Sequence, residues 1–171
     1  ALALVSQNIE VATFNGGDLK ARQAMLLGAC LAGQAFANSP VAAVHALAYP
    51  LGGHFHIPHG LSNALVLVQV MQFNQTHCAA LYAELAPSIN SSISLEGTDE
   101  QISQRLIDFM ADLIKQLNLP TSLAAMGINE SDIDTLAADA MLQTRLLVNN
   151  PKPVTLEDVK LIYRKAFQGV K

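Results

Sequence analysis

A chain of 171 residues is the length of one domain, which typically runs to ~100–200 residues. Half of it is apolar (51%), Trp is absent and aromatics are few, so Ala, Leu, Val and Ile must fill the core; that mix favours packed helices over a β-sandwich. The net charge of −4, with no basic run, recommends neither nucleic acid nor an anionic membrane as a partner. No uninterrupted apolar run reaches the ~20 residues that a membrane helix needs, and the start lacks the basic region of a signal peptide. A cytoplasmic setting follows as the expectation. Cys30 and Cys78 match no metal or redox spacing and read as buried thiols.

In chain order, Ala1 to Ile9 reads as the end of a helix, in a chain that begins partway through a longer protein. Gly16-Gly17 breaks it, and Asp18 is a good N-cap for a helix from Leu19 to about Asn38, whose small residues Gly28, Ala29, Ala32 and Gly33 allow close packing. Ser39-Pro40 is expected to stop that helix and cap the next. Val41 to Tyr49 is a short helix ended by Pro50 and Gly52-Gly53, with a loop carrying His54, Phe55, His56 and Ile57. A helix apolar nearly all round runs from Pro58-His59-Gly60 to about Asn74, and belongs at the centre of a bundle.

Tyr82 to Leu85 continues a helical pattern, and Pro87 to Asp99 reads as a surface loop. Asp99 caps a helix through Leu117, with Ile102, Leu106, Phe109, Leu113 and Leu117 along one face. After the turn Leu119 to Ser122 come a short helical piece, Leu123 to Met126, and a helix opened by Ser131 and running to Met141 or beyond. Asn149-Asn150-Pro151-Lys152-Pro153 is a rigid connector, and Thr155 with Asp158 forms a capping box for the last helix, through Phe167. There is no internal repeat and no alternating strand pattern of useful length, so the fold class is all-α, a helical bundle.

Four of the five histidines, His45, His54, His56 and His59, fall within fifteen positions interleaved with Gly and Pro. Neutral imidazole is the commonest transition-metal ligand, and ligands on elements flanking a tight turn can converge on one ion. His59 sits at a helix N-terminus, where the dipole disfavours imidazolium and keeps a lone pair free. The spacing is not H-E-x-x-H nor a Cys/His finger, so it specifies no metal. His54 and His56 read equally as ligands, substrate contacts or solvated side chains. Isolated His77 reads as a surface residue. Tyr49 shares a helix face with His45 four residues earlier, as a packed phenol or as a proton-relay or cofactor contact.

The stretch H-A-L-A-Y-P-L-G-G-H-F-H-I-P-H-G-L-S-N-A, from His45 to Ala64, resembles the signature of the iron-containing (group III) alcohol dehydrogenases. N-P-K-P-V-T-L-E-D-V-K-L-I-Y-R-K-A-F, from Asn150 to Phe167, is similar to that family's closing motif, and Asp18 to Phe36 resembles the helix before the signature. The resemblance covers essentially the whole chain. It implies the C-terminal helical metal-binding domain of a dehydroquinate synthase-like, two-domain enzyme whose N-terminal α/β domain binds NAD or NADP. It implies His45 and His59 as two of four ligands to Fe²⁺, the others being an Asp and a His of an Asp-x-x-x-His helix that would lie upstream of Ala1.

On the same resemblance, Tyr49 stands where many members have a second histidine near the nicotinamide, which puts a histidine-based relay in doubt. Tyr49 and His54 become candidates for cofactor or relay contact. Phe36 and Leu146 align with positions bordering the substrate pocket, with ordinary core packing as the alternative. The implied activity is alcohol/aldehyde interconversion by hydride transfer, in an enzyme expected to be a homo-oligomer such as a dimer. Zn²⁺ would suit the same donors. A catalytically incomplete assembly module, or a Zn²⁺-dependent polyol dehydrogenase of the same superfamily, are the alternatives.

Overall fold

The computed structural model describes residues 1–170, which contain eight α-helices, two 3₁₀ turns and no strand. The helices are α1 (Leu2–Phe14), α2 (Leu19–Asn38), α3 (Ala43–Phe55), α4 (His59–Ile89), α5 (Asp99–Gln116), α6 (Ile133–Met141), α7 (Thr144–Leu147) and α8 (Leu156–Gln168). They form two compact units, Ala1–Pro40 with Ala79–Leu106, and Val41–Cys78 with the chain from Ile107 onward. Among the described residues no single helix is long and apolar enough to cross a membrane.

In the first unit α1 runs five residues past the expected end at Ile9 and packs on α2. Asp18 caps α2 as its sequence suggests, accepting from the Ala21 N–H at 2.9 Å. Close approach rests on Gly28 alone of the small residues: a Cβ there would stand 2.8 Å from Val5 Cγ2, whereas Ala29 and Gly33 are exposed. Ser39 closes α2 as its C-cap rather than opening α3. Cys30 is exposed, against expectation, because it lies on the outer face of α2; Cys78 is buried.

The loop after α4 is tied by Arg105, whose guanidinium donates to the carbonyls of Ser94 (2.8 Å) and Glu96 (2.6 Å). Thr98 and Gln101, not Asp99, build the capping box of α5. The buried stripe of α5 is Ile102, Leu106, Ile107, Ala111 and Ile114; it shares Ile102 and Leu106 with the expected face, but Phe109 and Leu113 stay half-buried. Apolar spacing along this helix permitted two neighbouring stripes, and packing chose one.

The second unit carries the main core, with Leu47, Leu51, Leu65, Val66, Leu136, Val159 and Tyr163 among its fully buried members. None of residues 61–71 of α4 is exposed, as a central helix requires. α4 does not stop at Asn74 but continues unbroken to Ile89, since nothing between Asn74 and Tyr82 breaks a helix and Asn74 and Cys78 are both buried. Pro87 falls within its last turn, where little ladder remains to disrupt.

α3 departs most from its local signals. Pro50 and Gly52-Gly53 were expected to end it at Tyr49, yet it continues through Phe55 with Pro50 inside. An interior proline removes one hydrogen bond and clashes with the carbonyl four residues back, at a cost of ~3 kcal/mol. Burial offsets this: Ala43, Ala46, Leu47, Pro50 and Leu51 form one buried face, and α3 packs on α6 and α7.

Two further features hold α3 and α4. The Tyr163 hydroxyl, on α8, donates to the Leu47 carbonyl at 2.7 Å. From the connector, Asn149 Nδ2 donates to the Val41 carbonyl (3.1 Å), while Asn150 and Asn74 exchange reciprocal amide hydrogen bonds of 2.7 and 3.0 Å in a buried setting. Lys152 lies over the Phe73 ring, 4.0 Å from its centroid. The Asn-Asn-Pro-Lys-Pro segment is therefore a strap that fastens the start of α3 and the middle of α4.

Candidate metal centre

The link between α3 and α4 is three residues long. His56 ends α3 in the left-handed conformation (φ 54°), a region that His tolerates better than most residues, and its N–H bonds the Gly52 carbonyl at 3.1 Å. Ile57 is buried, and its carbonyl accepts from the buried Ser62 hydroxyl at 3.2 Å. Pro58 then leads into α4, whose Ser62 N–H bonds the Pro58 carbonyl at 2.9 Å. This anchored turn brings the first residue of α4, His59, back to the face of α3 that carries His45 and Tyr49.

The His45 and His59 ring centroids are 5.2 Å apart with planes tilted by 54°, and the Tyr49 ring stacks on His59 at 5.7 Å and 25°. His45 is half-buried and held below its ordinary value of 6.5, first by burial and second by the neighbouring His59 charge. It is therefore neutral at physiological pH, with a lone pair to give. Tyr49 is 40% exposed.

Asn63, one turn into α4, holds His59: its Nδ2 donates to His59 Nε2 at 3.1 Å and to the His59 carbonyl at 2.9 Å. Sequence reading passed over Asn63, though its position four residues after His59 at a helix start was the available signal.

The other histidines go elsewhere. His54 stands nine residues after His45, about two and a half turns on, hence on the opposite side of α3. There its Nε2 pairs with the Asp139 carboxylate of α6, both side chains being partly exposed. Asp139 was also unforeseen, because 85 residues separate the partners. His56 is an exposed cap and His77 is exposed, as expected of an isolated surface residue. Leu146 lies in the core of the second unit, and Phe36 is exposed on α2 in the first.

The paired imidazoles fit a metal. With a metal ~2.1 Å from each coordinating nitrogen, and so roughly 3.2 Å from each centroid, tetrahedral placement separates two centroids by about 5 Å. The observed 5.2 Å meets that requirement. Two imidazoles are half of a tetrahedral donor set, and among the described residues no group of three or more His, Cys, Asp or Glu side chains completes it.

Fold and site together define an all-helical domain that presents two imidazoles and a phenol from consecutive helices. The family described as "Fe-containing alcohol dehydrogenase family, C-terminal" matches residues 1–167, and the chain belongs to that family. It is 39% identical, over 99% of its length, to long-chain-alcohol dehydrogenase 1 of Geobacillus thermodenitrificans, of which it covers 42%. It is 33% identical over 90% of its length to the NADPH-dependent butanol dehydrogenase of Clostridium saccharobutylicum, covering 39% of that protein. Among solved structures, an alcohol dehydrogenase from Oenococcus oeni superposes with a TM-score of 0.92 at 30% identity, over 97% of this chain and 43% of that one. The chain thus spans about two-fifths of the length of these relatives.

Proposed function

We propose that this chain is the metal-binding helical domain of an NAD(P)-dependent, iron-dependent alcohol dehydrogenase that interconverts alcohols and aldehydes. The observation that carries the reading is the 5.2 Å approach of His45 and His59 from α3 and α4. In this reading they contribute two ligands to Fe²⁺, and an Asp-x-x-x-His helix outside these residues contributes the others. Both named relatives are alcohol dehydrogenases by description, one of them NADPH-dependent.

When bound, the metal supplies Lewis acidity to the substrate oxygen and the nicotinamide accepts or gives hydride. The chain's own residues do the rest. Burial keeps His45 unprotonated. Tyr49 covers one face of the His59 ring, and in this reading its hydroxyl holds a proton beside the reacting centre. The His54–Asp139 pair clamps the end of α3 to α6 on the far side, which favours a fastening role for His54 over cofactor contact. Phe36 stays a proposed pocket-wall residue on the family resemblance alone, and Leu146 is taken up by the core of the second unit. The N/O donor chemistry also suits Zn²⁺.

The test is metal analysis of the complete protein alongside NADH and NADPH absorbance assays with a series of primary alcohols. About one iron per chain and alcohol-dependent cofactor reduction, both abolished in His59→Ala with helix content retained, are the expected results. Stoichiometric metal and near-wild-type turnover in His59→Ala would overturn the ligand assignment.

A further inference from the structure

We infer that Asn63 is the positioning residue of His59, setting the imidazole tautomer so that Nε2 is the nitrogen free of a proton. The inference rests on the proposed reading of His59 as a metal ligand and deepens it.

The orientation of the Asn63 amide is settled by its second partner. The atom 2.9 Å from the His59 carbonyl must be an N–H donor, because two oxygens do not bond there. The same Nδ2 lies 3.1 Å from His59 Nε2, so Nε2 is the acceptor and the ring proton sits on Nδ1. Turning the amide over would break the bond to the carbonyl and require a proton on Nε2.

The other end of the amide argues the same way. Asn63 Oδ1 is buried with no donor, although buried polar atoms are normally paired. Asn8, Asn38 and Asn149 make the same bond to the carbonyl four residues back; what sets Asn63 apart is its second contact, to His59 Nε2.

The consequence is an imidazole pre-set for a metal. Nε2 carries its lone pair toward an amide held by geometry, and an arriving cation replaces that amide without first removing a ring proton. Tyr49, stacked on the same ring, restricts its rotation.

The test uses long-range ¹H–¹⁵N correlation spectra of the metal-free complete protein at about pH 8, above the ordinary imidazole range. His59 is expected to show an unprotonated Nε2 and a protonated Nδ1. Asn63→Ala should leave a mixture of tautomers, and Asn63→Asp, whose carboxylate accepts only, should move the proton to Nε2. In Co²⁺ titrations Asn63→Asp should lose affinity, because a proton held on Nε2 must leave before the metal can bind. Should Asn63→Asp not fold, Asn63→Ala and Asn63→Ser carry the tautomer test. A proton on Nε2 in the wild type, or an unchanged tautomer in the variants, overturns the inference. His59→Ala separates the two levels: if it abolishes Co²⁺ binding while the Asn63 variants change nothing, only the Asn63 role fails. If it keeps wild-type Co²⁺ affinity, the ligand reading fails and this inference with it.

Discussion

The hydroxyl of Tyr163 reaches across 116 residues of sequence to the carbonyl of Leu47, 2.7 Å away, in the turn of α3 that contains Pro50. Tyr163 is fully buried on α8. The face carrying His45 and Tyr49 is thereby backed by a rigid contact from the last helix.

Tyr163→Phe should therefore destabilise the protein by ~0.5–1.5 kcal/mol in urea unfolding, because one buried hydrogen bond is lost while the volume is otherwise kept. The pH dependence is informative as well. Burial first, and the Asp139 charge second, push the Tyr163 hydroxyl far above its ordinary value of 10.0. The folded state thus holds this proton more tightly than the unfolded state does. That contribution is complete below the unfolded value and is lost as pH rises above about 10. Unfolding midpoints measured from about pH 8 to pH 11 should fall for the wild type, and less for the Phe variant.

His45 should respond to its neighbour. Its folded value lies below 6.5, with burial the larger cause and the His59 charge the smaller. Protonation therefore favours the unfolded chain: the stability His45 contributes is present above 6.5 and lost as pH falls through the lower folded value. Histidine ring-proton titration by NMR should show His45 moving partway back toward 6.5 in His59→Gln, since that change removes only the smaller cause. An unmoved His45 would mean that burial alone sets it.

The buried Asn74–Asn150 pair should behave as a unit. Replacing Asn150 by Ala leaves the Asn74 amide without this partner, and replacing Asn74 leaves the Asn150 Oδ1 without its donor while Nδ2 keeps the Lys152 carbonyl, at a cost of ~1–3 kcal/mol each. The double variant should cost less than the two singles together, and a double-mutant cycle on urea midpoints measures the coupling. Full additivity would show that the strap acts through Lys152 and Asn149 instead.

Gly28→Val should loosen the α1–α2 hairpin. The first added carbon already meets Val5 Cγ2 at 2.8 Å and Leu4 Cβ at 3.3 Å, and the branched methyls add to that crowding. Overpacking of this kind costs ~1–3 kcal/mol. Faster amide exchange across α1, with the helices around His45 unchanged, is the expected signature.

Read along the chain, the helix starts at Asp18 and Thr155 were legible, because a cap is a bond between residues three apart and needs no tertiary partner. The central place of α4 was legible too, since a helix apolar on every side has nowhere else to go. Thr98 and Gln101 carried the same kind of local signal and were passed over in favour of Asp99 beside them. The nearness of His45, Tyr49 and His59 was foreseeable from helix spacing and a short turn, together with the family motif.

What local chemistry could not decide was everything that depends on a distant surface. Pro50 and the two glycines after it say that a helix stops; the burial of Ala43, Ala46, Leu47 and Leu51 makes it continue, and that continuation carries His54 round to Asp139. Cys30 faces outward although its neighbours in sequence are small and apolar, while Leu146, beside Arg145, lies in the core. Composition, caps and periodicity determined that this chain is a bundle of helices with histidines gathered at one link. Which face of each helix turns inward, and so which histidines meet, was decided by the tertiary packing, because burying a whole apolar face outweighs the few kcal/mol by which a proline, a glycine or a cap prefers one local conformation.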